Sequence, residues 1–257
     1  MPRRFLLAEE GDVPKGLARW RNTCAWRKEM GADSVLSRPH PWFSVIKSHW
    51  QHGFHLHDRG GRLSYWERPG LSDMAALKKA GLDRQELLWH YMYCMEYLWQ
   101  VLQPEQYMKL SIVIDLQGVG LRDLAGESVA LLKNTVSMMS GHYPQRSFKI
   151  LILNAPSFFN SVFAMVKPLL NEATKRKIDV LPPSNAANKL LEVFPAERLP
   201  VQYGGTSQAR LLESPAEGAL EGHVRAVLQG GGMSMKTLDG RDESIGTSSQ
   251  ASSRSLG

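Results

Sequence analysis

Cysteine and long apolar runs are both scarce in this 257-residue sequence. The two cysteines, Cys24 and Cys94, lie far apart and neither belongs to a Cys-x-x-Cys pair, which argues against a disulfide framework and a cysteine zinc site. No apolar run approaches the roughly 18 residues that cross a bilayer, and the first residues turn acidic at Glu9 before a signal peptide could form. We therefore expect a cytoplasmic protein.

Acidic residues are fewer than basic ones, and the formal net charge is +6. The basic excess lies before residue 206, because residues 206–257 are slightly acidic. A basic surface attracts nucleic acid and an anionic membrane by the same long-range field. The cations are not interleaved with aromatic residues in a recognisable nucleic-acid module, so we expect an anionic membrane surface and no nucleic acid as a partner.

Periodic apolar patterns predict an α/β fold. Helical spacing runs from Asp12 to Met30 before Gly31, and Asp83 with Glu86 is typical of the start of a long helix that reaches about Val101. Apolar runs alternate with these and later helices, which indicates a mainly parallel sheet covered on both faces. The predicted strands are 63–66, 111–115, 149–154 and 178–181.

Two segments are predicted to lack regular structure. The histidine-rich stretch 49–57 is interpreted as a surface connection, with a metal site formed by His49, His52, His55 and His57 as the less favoured alternative. Residues 206–257 are rich in Ser and Gly and lack aromatic residues, so we predict a disordered tail, with a transient helix around Val224 ended by Gly230.

Two enzyme hypotheses arise from short motifs. The segment 115–123 begins like a dinucleotide fingerprint, but Asp123 stands where the third glycine belongs and would repel a pyrophosphate. The segment 126–130 resembles a nucleophile elbow, which would make Ser128 a hydrolase nucleophile with Asp115 and His142 as partners. Ser128 is instead predicted to lie inside a helix, so neither hypothesis is favoured.

An unusually apolar helix is predicted directly after the strand at 149–154. Residues 157–170 contain three phenylalanines, a methionine and several aliphatic residues, a stripe too wide for one packed face. The pattern alone favours a buried core helix; the alternative is a helix with one face on an internal ligand and another at a membrane. Lys175, Arg176 and Lys177 follow, and they suit either a solvated helix end or an anionic headgroup.

An ordered set of short blocks resembles the CRAL-TRIO lipid-binding family, which includes phosphatidylinositol/phosphatidylcholine transfer proteins and α-tocopherol transfer protein. Weaker likenesses at 11–13, 26–29, 61–62 and 65–67 extend the resemblance over nearly all of the chain up to Gly205. The main blocks are 112–118 (IVIDLQG), 143–144 (YP), 152–156 (ILNAP), 166–170 (VKPLL), 177–178 (KI) and 194–205 (FPAERLPVQYGG).

The resemblance implies three parts for the chain: part of the family's helical module at 1–41, the lipid-binding domain at 42–205, and the tail at 206–257. It also implies that the chain begins inside the helical module. The sheet would floor an apolar pocket, closed by a gate helix that lies at 158–170. The implied pocket and gate residues are Phe158, Phe159, Val162, Phe163, Val166, Leu170, Ile112 and Ile114.

The resemblance further implies a headgroup site at Thr174, Lys177 and Gln145, with Lys175 and Arg176 at the anionic membrane. Gln145 stands where the family has an acidic residue, and Glu9 replaces a basic one, so recognition of an inositol phosphate loses support. Ile112 and Leu110 make the central strand more apolar than in phosphatidylcholine-binding members, which favours a less polar ligand.

The resemblance implies a function without catalysis. We expect a monomer that binds one lipid, needs no metal or other cofactor, and exchanges the lipid between membranes while docking on them transiently. The alternatives are a lipid-sensing adaptor that uses its Ser-rich tail for docking or phosphorylation and, less favoured, the Ser128 hydrolase.

Overall fold

The computed structural model describes residues 1–124 and 126–243, without the side chains of Arg122 and Leu124. Within these residues, ten α-helices and five strands are joined by short 3-10 turns. The strands are β1 His52–His57, β2 Leu63–Glu67, β3 Leu110–Asp115, β4 Ser147–Leu153 and β5 Ile178–Val180. The helices are α1 Arg3–Ala8, α2 Val13–Met30, α3 Phe43–His49, α4 Met74–Lys79, α5 Arg84–Tyr97, α6 Gly126–His142, α7 Phe159–Val166, α8 Glu172–Lys175, α9 Ala186–Val193 and α10 Pro215–Gly230.

The sheet has the simple strand order β1-β2-β3-β4-β5. β1 is antiparallel to β2, and every later neighbour is parallel. Ile114 in the central strand pairs with Glu67 on one side and Ile152 on the other, so these side chains share a face of the sheet. The predicted α/β fold with a mainly parallel sheet is confirmed.

Local signals start and stop the longer helices where the sequence predicts. The Asp12 side chain accepts a hydrogen bond from the Lys15 N–H at the start of α2, and Gly31 ends that helix in the left-handed conformation at φ 65°. The Asp83 carboxylate caps α5 in the same way, and the helix continues as a π-helical turn over Leu98–Leu102. These caps satisfy backbone donors that would otherwise lack partners.

Two apolar clusters cover the two faces of the sheet. The larger one packs Tyr65 and Leu110 against α3, α5, α6 and α10. The smaller one packs Trp66, Val113 and Leu151 against α9 and Phe194. Tyr65 and Trp66 are consecutive residues of β2 that point to opposite faces, so one strand contributes to both cores.

The histidine-rich stretch is a strand and not a surface connection. His52–His57 forms β1, at the outer edge of the sheet next to β2. His52 and His55 are buried, at 0% and 1% exposure, because His52 packs against His90 of α5 and His55 packs against Trp66 on the opposite face. The prediction was wrong because polar His and Gly residues gave the segment no apolar run.

The tail that we predicted from residue 206 is largely folded. α10 packs against β1 and α3 through Leu220, Val224 and Leu228, each at most 1% exposed. These residues recur every four positions, so they form one apolar stripe along the helix. The prediction of disorder was wrong for residues 206–243, whereas the Ser-rich segment 244–257 lies outside the described residues. The helix ends at Gly230, as predicted.

Among the described helices, none is both long enough and apolar enough to cross a bilayer.

Candidate functional site

A mostly apolar cavity of about 460 Å³ lies between the sheet and the helices that cover the face with the larger apolar cluster. Ile114 and Glu67 form its floor near the carboxyl ends of β3 and β2, and Leu131 of α6 and Val162 of α7 form part of its walls. The lining residues are Trp50, Glu67, Pro69, Ser72, Asp73, Met74, Ala75, Ile114, Leu116, Val119, Asp123, Ser128, Leu131, Leu132, Thr135 and Val162.

The helix predicted to act as a gate lies beside this cavity. The rings of Phe159 and Phe163 stack at 5.7 Å on α7, and Val166 is buried at the end of that helix. Phe158 and Leu170, at either side of α7, are half-buried. α7 therefore presents Val162 to the cavity while most of its apolar surface is only partly covered.

The two residues of β3 that were predicted to line the pocket occupy different positions. Ile114 lines the cavity, whereas Ile112, two residues earlier on the same face of β3, packs against the larger core and is not among the lining residues. The cavity thus occupies the carboxyl-terminal end of the strands.

One wall of the cavity carries polar groups that the sequence did not reveal. The Trp50 indole Nε1 donates to Glu67 Oε1 at 3.0 Å. Burial raises the pKa of the Glu67 carboxyl above its usual value, and the bond from Trp50 opposes that rise. The Thr135 hydroxyl is buried and has no hydrogen-bond partner among the described residues. The sequence signals for Glu67 were its position two residues after Tyr65 and its place in the family likeness at 65–67, and neither indicated a polar ligand contact.

The residues predicted to bind a headgroup lie together, but at the amino ends of β4 and β5. Lys177 Nζ donates to Gln145 Oε1 at 3.3 Å and to the Ser147 carbonyl at 2.9 Å. Burial lowers the pKa of Lys177, and the nearby Lys109 and Arg176 lower it further. Thr174 is half-buried in α8, where its N–H donates to Asn171 Oδ1.

The two predicted membrane contacts differ in exposure. Lys175 forms an ion pair with Glu172 at 2.7 Å, whereas Arg176 is exposed. None of these five residues lines the 460 Å³ cavity.

The structure does not assemble the hydrolase triad. Ser128 and His142 lie fourteen residues apart on α6, which separates them by about 21 Å along the helix axis. Asp115 is engaged elsewhere, since it accepts hydrogen bonds from Asn154 Nδ2 at 2.7 Å and from the Tyr203 hydroxyl at 2.7 Å. Ser128 lines the cavity, but neither Asp115 nor His142 is placed to act as its base.

The glycines that resemble a dinucleotide fingerprint serve a turn. Gly118 adopts φ +82° and packs against the backbone of Gly70, where a side chain on Gly70 would collide with Gln117 and Val119. The Asp123 carboxylate accepts from the Gly120 N–H at 2.8 Å, in place of an anion. The close approach of two backbones explains why Gly70 and Gly118 are glycines.

Strand alternation separates the histidines of β1. His52 Nε2 lies 3.0 Å from His90 Nε2, and His90 Nδ1 lies 2.8 Å from His40 Nε2, whereas His55 faces Trp66 on the other side of the sheet. Within residues 1–124 and 126–243, no group of three or more His, Cys, Asp or Glu side chains is arranged to hold a metal ion.

A larger cleft of about 1150 Å³ lies between α3 and the C-terminal segment. Most of its charged groups are paired, among them Lys47 with Glu217 at 2.7 Å and Arg225 with Glu221 at 2.7 Å. Paired charges on the walls suit solvent better than an acyl chain, so the smaller apolar cavity is the better candidate site.

A parallel-rich sheet with an apolar cavity under a partly exposed helix defines a class of α/β protein with an internal cavity. The chain belongs to the CRAL/TRIO domain family, whose model matches residues 47–205. The resemblance inferred from the sequence is thereby confirmed.

Three relatives illustrate this membership. SEC14 cytosolic factor of Eremothecium gossypii is 30% identical over 224 residues, which cover 84% of this chain and 71% of the relative. Sec14 cytosolic factor of Schizosaccharomyces pombe is 30% identical over 80% of this chain and 73% of the relative. The Arabidopsis thaliana phosphatidylinositol/phosphatidylcholine transfer protein SFH4 is 29% identical over 79% of this chain but only 34% of the relative.

Coverage differs widely among the relatives, and the chain spans only 43% of the SEC14 cytosolic factor of Yarrowia lipolytica. Among solved structures, the crystal structure of Sfh5 superposes with a TM-score of 0.61 at 13% identity, over 86% of this chain and 78% of that one. This likeness supports the fold.

Proposed function

We propose that this protein binds a single lipid in the 460 Å³ cavity and exchanges it between membranes, with α7 as the element that opens and closes the cavity. The observation that carries the proposal is the cavity itself, because its walls combine aliphatic side chains of the sheet, α6 and the partly exposed α7. Burying apolar lipid surface there contributes about 25 cal/mol per Å². Family membership supports the same function, since relatives carry the name of lipid transfer proteins.

The proposed setting is the cytosol, with transient docking on anionic membranes through Lys175 and Arg176 and with the chain acting as a monomer. Thr174, Lys177 and Gln145 would contact the membrane surface or an incoming headgroup from the amino end of the sheet. The separation of these residues from the cavity supports a role in docking rather than in holding the stored lipid.

The test is lipid uptake and transfer by the full chain and by two matched variants. Val162→Trp fills the cavity from α7, whereas Ser161→Trp adds the same ring at an exposed neighbouring position. We expect the first variant to lose vesicle-to-vesicle transfer and the second to retain it, while both keep a cooperative unfolding transition. Wild-type protein that takes up no lipid from mixed vesicles would overturn the proposal. Uptake without transfer would instead support the lipid-sensing alternative.

A further inference from the structure

The charge of the cavity restricts what it can hold. None of its described lining residues is Lys, Arg or His, whereas Glu67, Asp73 and Asp123 contribute carboxyl groups. An anionic phosphate placed here would lose its hydration and meet carboxyl groups without a compensating cation. The cavity therefore disfavours a phosphate-bearing headgroup.

The size of the cavity also disfavours a phospholipid. A volume of about 460 Å³ lies in the lower half of the roughly 300–1,000 Å³ that accommodates drug-sized ligands. A phospholipid with two long acyl chains is larger than such molecules, whereas a sterol or a single-chain lipid is similar to them in size.

A quaternary ammonium group would need an open aromatic face, and the cavity does not offer one. Trp50 is only 4% exposed, because it stacks with Tyr91 at 5.9 Å and packs on His52 at 4.6 Å. A cation is attracted to the face of an aromatic ring. Because the indole faces of Trp50 are covered, they cannot bind a quaternary ammonium group. Trp50 instead uses its ring edge to orient the Glu67 carboxyl.

Among the polar lining groups, Thr135 is a buried hydroxyl without a partner in the described part of the chain, Ser72 donates to the Arg68 carbonyl, and Ser128 and Glu67 are half-buried. Asp73 and Asp123 already accept from the backbone N–H groups of Ala76 and Gly120, at 2.9 and 2.8 Å. Glu67 uses Oε1 for Trp50, which leaves Oε2 to accept from a ligand. Thr135 Oγ1 lacks a partner within the same part of the chain. For Thr135 Oγ1, burial without a partner costs free energy that a ligand hydroxyl would recover.

We propose that the stored ligand is an uncharged lipid that carries a hydroxyl group, with Glu67 as the hydrogen-bonding partner of that hydroxyl and Thr135 as a second polar contact. This inference rests on the proposed function and names its ligand class. Burial favours the protonated form of Glu67, which can both donate to and accept from a hydroxyl.

The experiment offers the full chain two alcohols, cholesterol and oleyl alcohol, and their methyl ethers, each in vesicles of phosphatidylcholine and phosphatidylinositol. Lipid recovered with the protein is identified by mass spectrometry. We expect at least one alcohol to be bound in preference to both phospholipids and about tenfold better than its ether, the effect of one hydrogen bond. Glu67→Met should remove the preference for the alcohol over the ether, whereas Glu67→Gln, which still donates and accepts, should keep it. Thr135→Val should weaken it.

The control is Glu192→Gln, an acid-to-amide change at an exposed position of α9, which should bind as the wild type does. Preferential uptake of a phospholipid would overturn this inference but leave the proposed function intact. Equal binding of alcohols and ethers by the wild type, or an unchanged preference in Glu67→Met, would also overturn the inference. Failure to take up any lipid would overturn the proposed function with it.

Discussion

At the scale of single residues, three imidazoles form a buried row in the larger core. His90 lies between His40 and His52, at 2.8 and 3.0 Å, and none of the three is more than 3% exposed. Burial lowers the pKa of all three, to about 3 for His40, and Lys47 lowers that of His52 further. The row is thus stable while its rings are neutral.

This row should make the folded protein sensitive to acid. The unfolded chain binds protons at its histidines below about pH 6.5, whereas the folded chain resists protonation to lower pH. Stability should therefore fall as the pH drops below that value, by up to about 1.4 kcal/mol per pH unit for each histidine. The substitution His40→Phe should reduce the dependence of the free energy of unfolding on pH by about the contribution of one histidine. Urea unfolding at a series of pH values would measure this dependence. Equal slopes would contradict the prediction.

The residue scale also shows what the sequence could reveal about the site. Val162 and Ile114 were predicted to line a pocket, because Val162 lies in the apolar run after a strand, where the family resemblance implies a gate, and Ile114 lies in a family block. Glu67 and Trp50 were missed, since their hydrogen bond joins residues whose proximity depends on how α3 meets β2. Thr135 gave no signal, because a threonine in a helix does not show whether its hydroxyl has a partner.

At the scale of elements, α10 is where pattern and composition gave conflicting signals. The Ser and Gly content of the C-terminal fifty residues suggested disorder, but Leu220, Val224 and Leu228 carried a four-residue period. The long helices and Ile- and Val-rich strands were predictable because their periods are strong. β1 was not, because an edge strand rich in histidine and glycine has no apolar run.

The packing of α10 can be measured directly. Leu220→Ala should destabilise the protein by about 2–5 kcal/mol, the cost of a cavity in a closed core. The matched change Gln229→Ala, at an exposed position of the same helix, should alter the free energy of unfolding by no more than about 0.5 kcal/mol. Chemical denaturation of both variants gives the comparison. A helix that did not pack on β1 and α3 would leave the two variants equally stable.

At the scale of the whole molecule, the basic surface around Lys175 and Arg176 should govern membrane docking. Each cation near an anionic leaflet contributes about 1 kcal/mol, so Lys175→Ala with Arg176→Ala should weaken binding to phosphatidylserine vesicles about tenfold to thirtyfold. Vesicle co-sedimentation at several salt concentrations would measure this, and the difference should shrink as salt rises.

The control removes the same charge from another face, by Lys189→Ala with Arg198→Ala, both exposed. An equal loss in both double variants would indicate that net charge, and not this surface, drives docking.

The start of α10 also covers part of the sheet edge that β1 forms. The Glu217 carboxylate accepts from the Phe54 N–H at 2.5 Å, and the Ser214 hydroxyl donates to the Phe54 carbonyl at 2.8 Å. The two side chains thus occupy the N–H and the carbonyl of Phe54, with which a sixth strand would pair. An edge strand with free amide groups invites another chain to pair with it, the first step towards aggregation. Residues predicted to belong to a disordered tail therefore cover part of the edge at which another copy could pair.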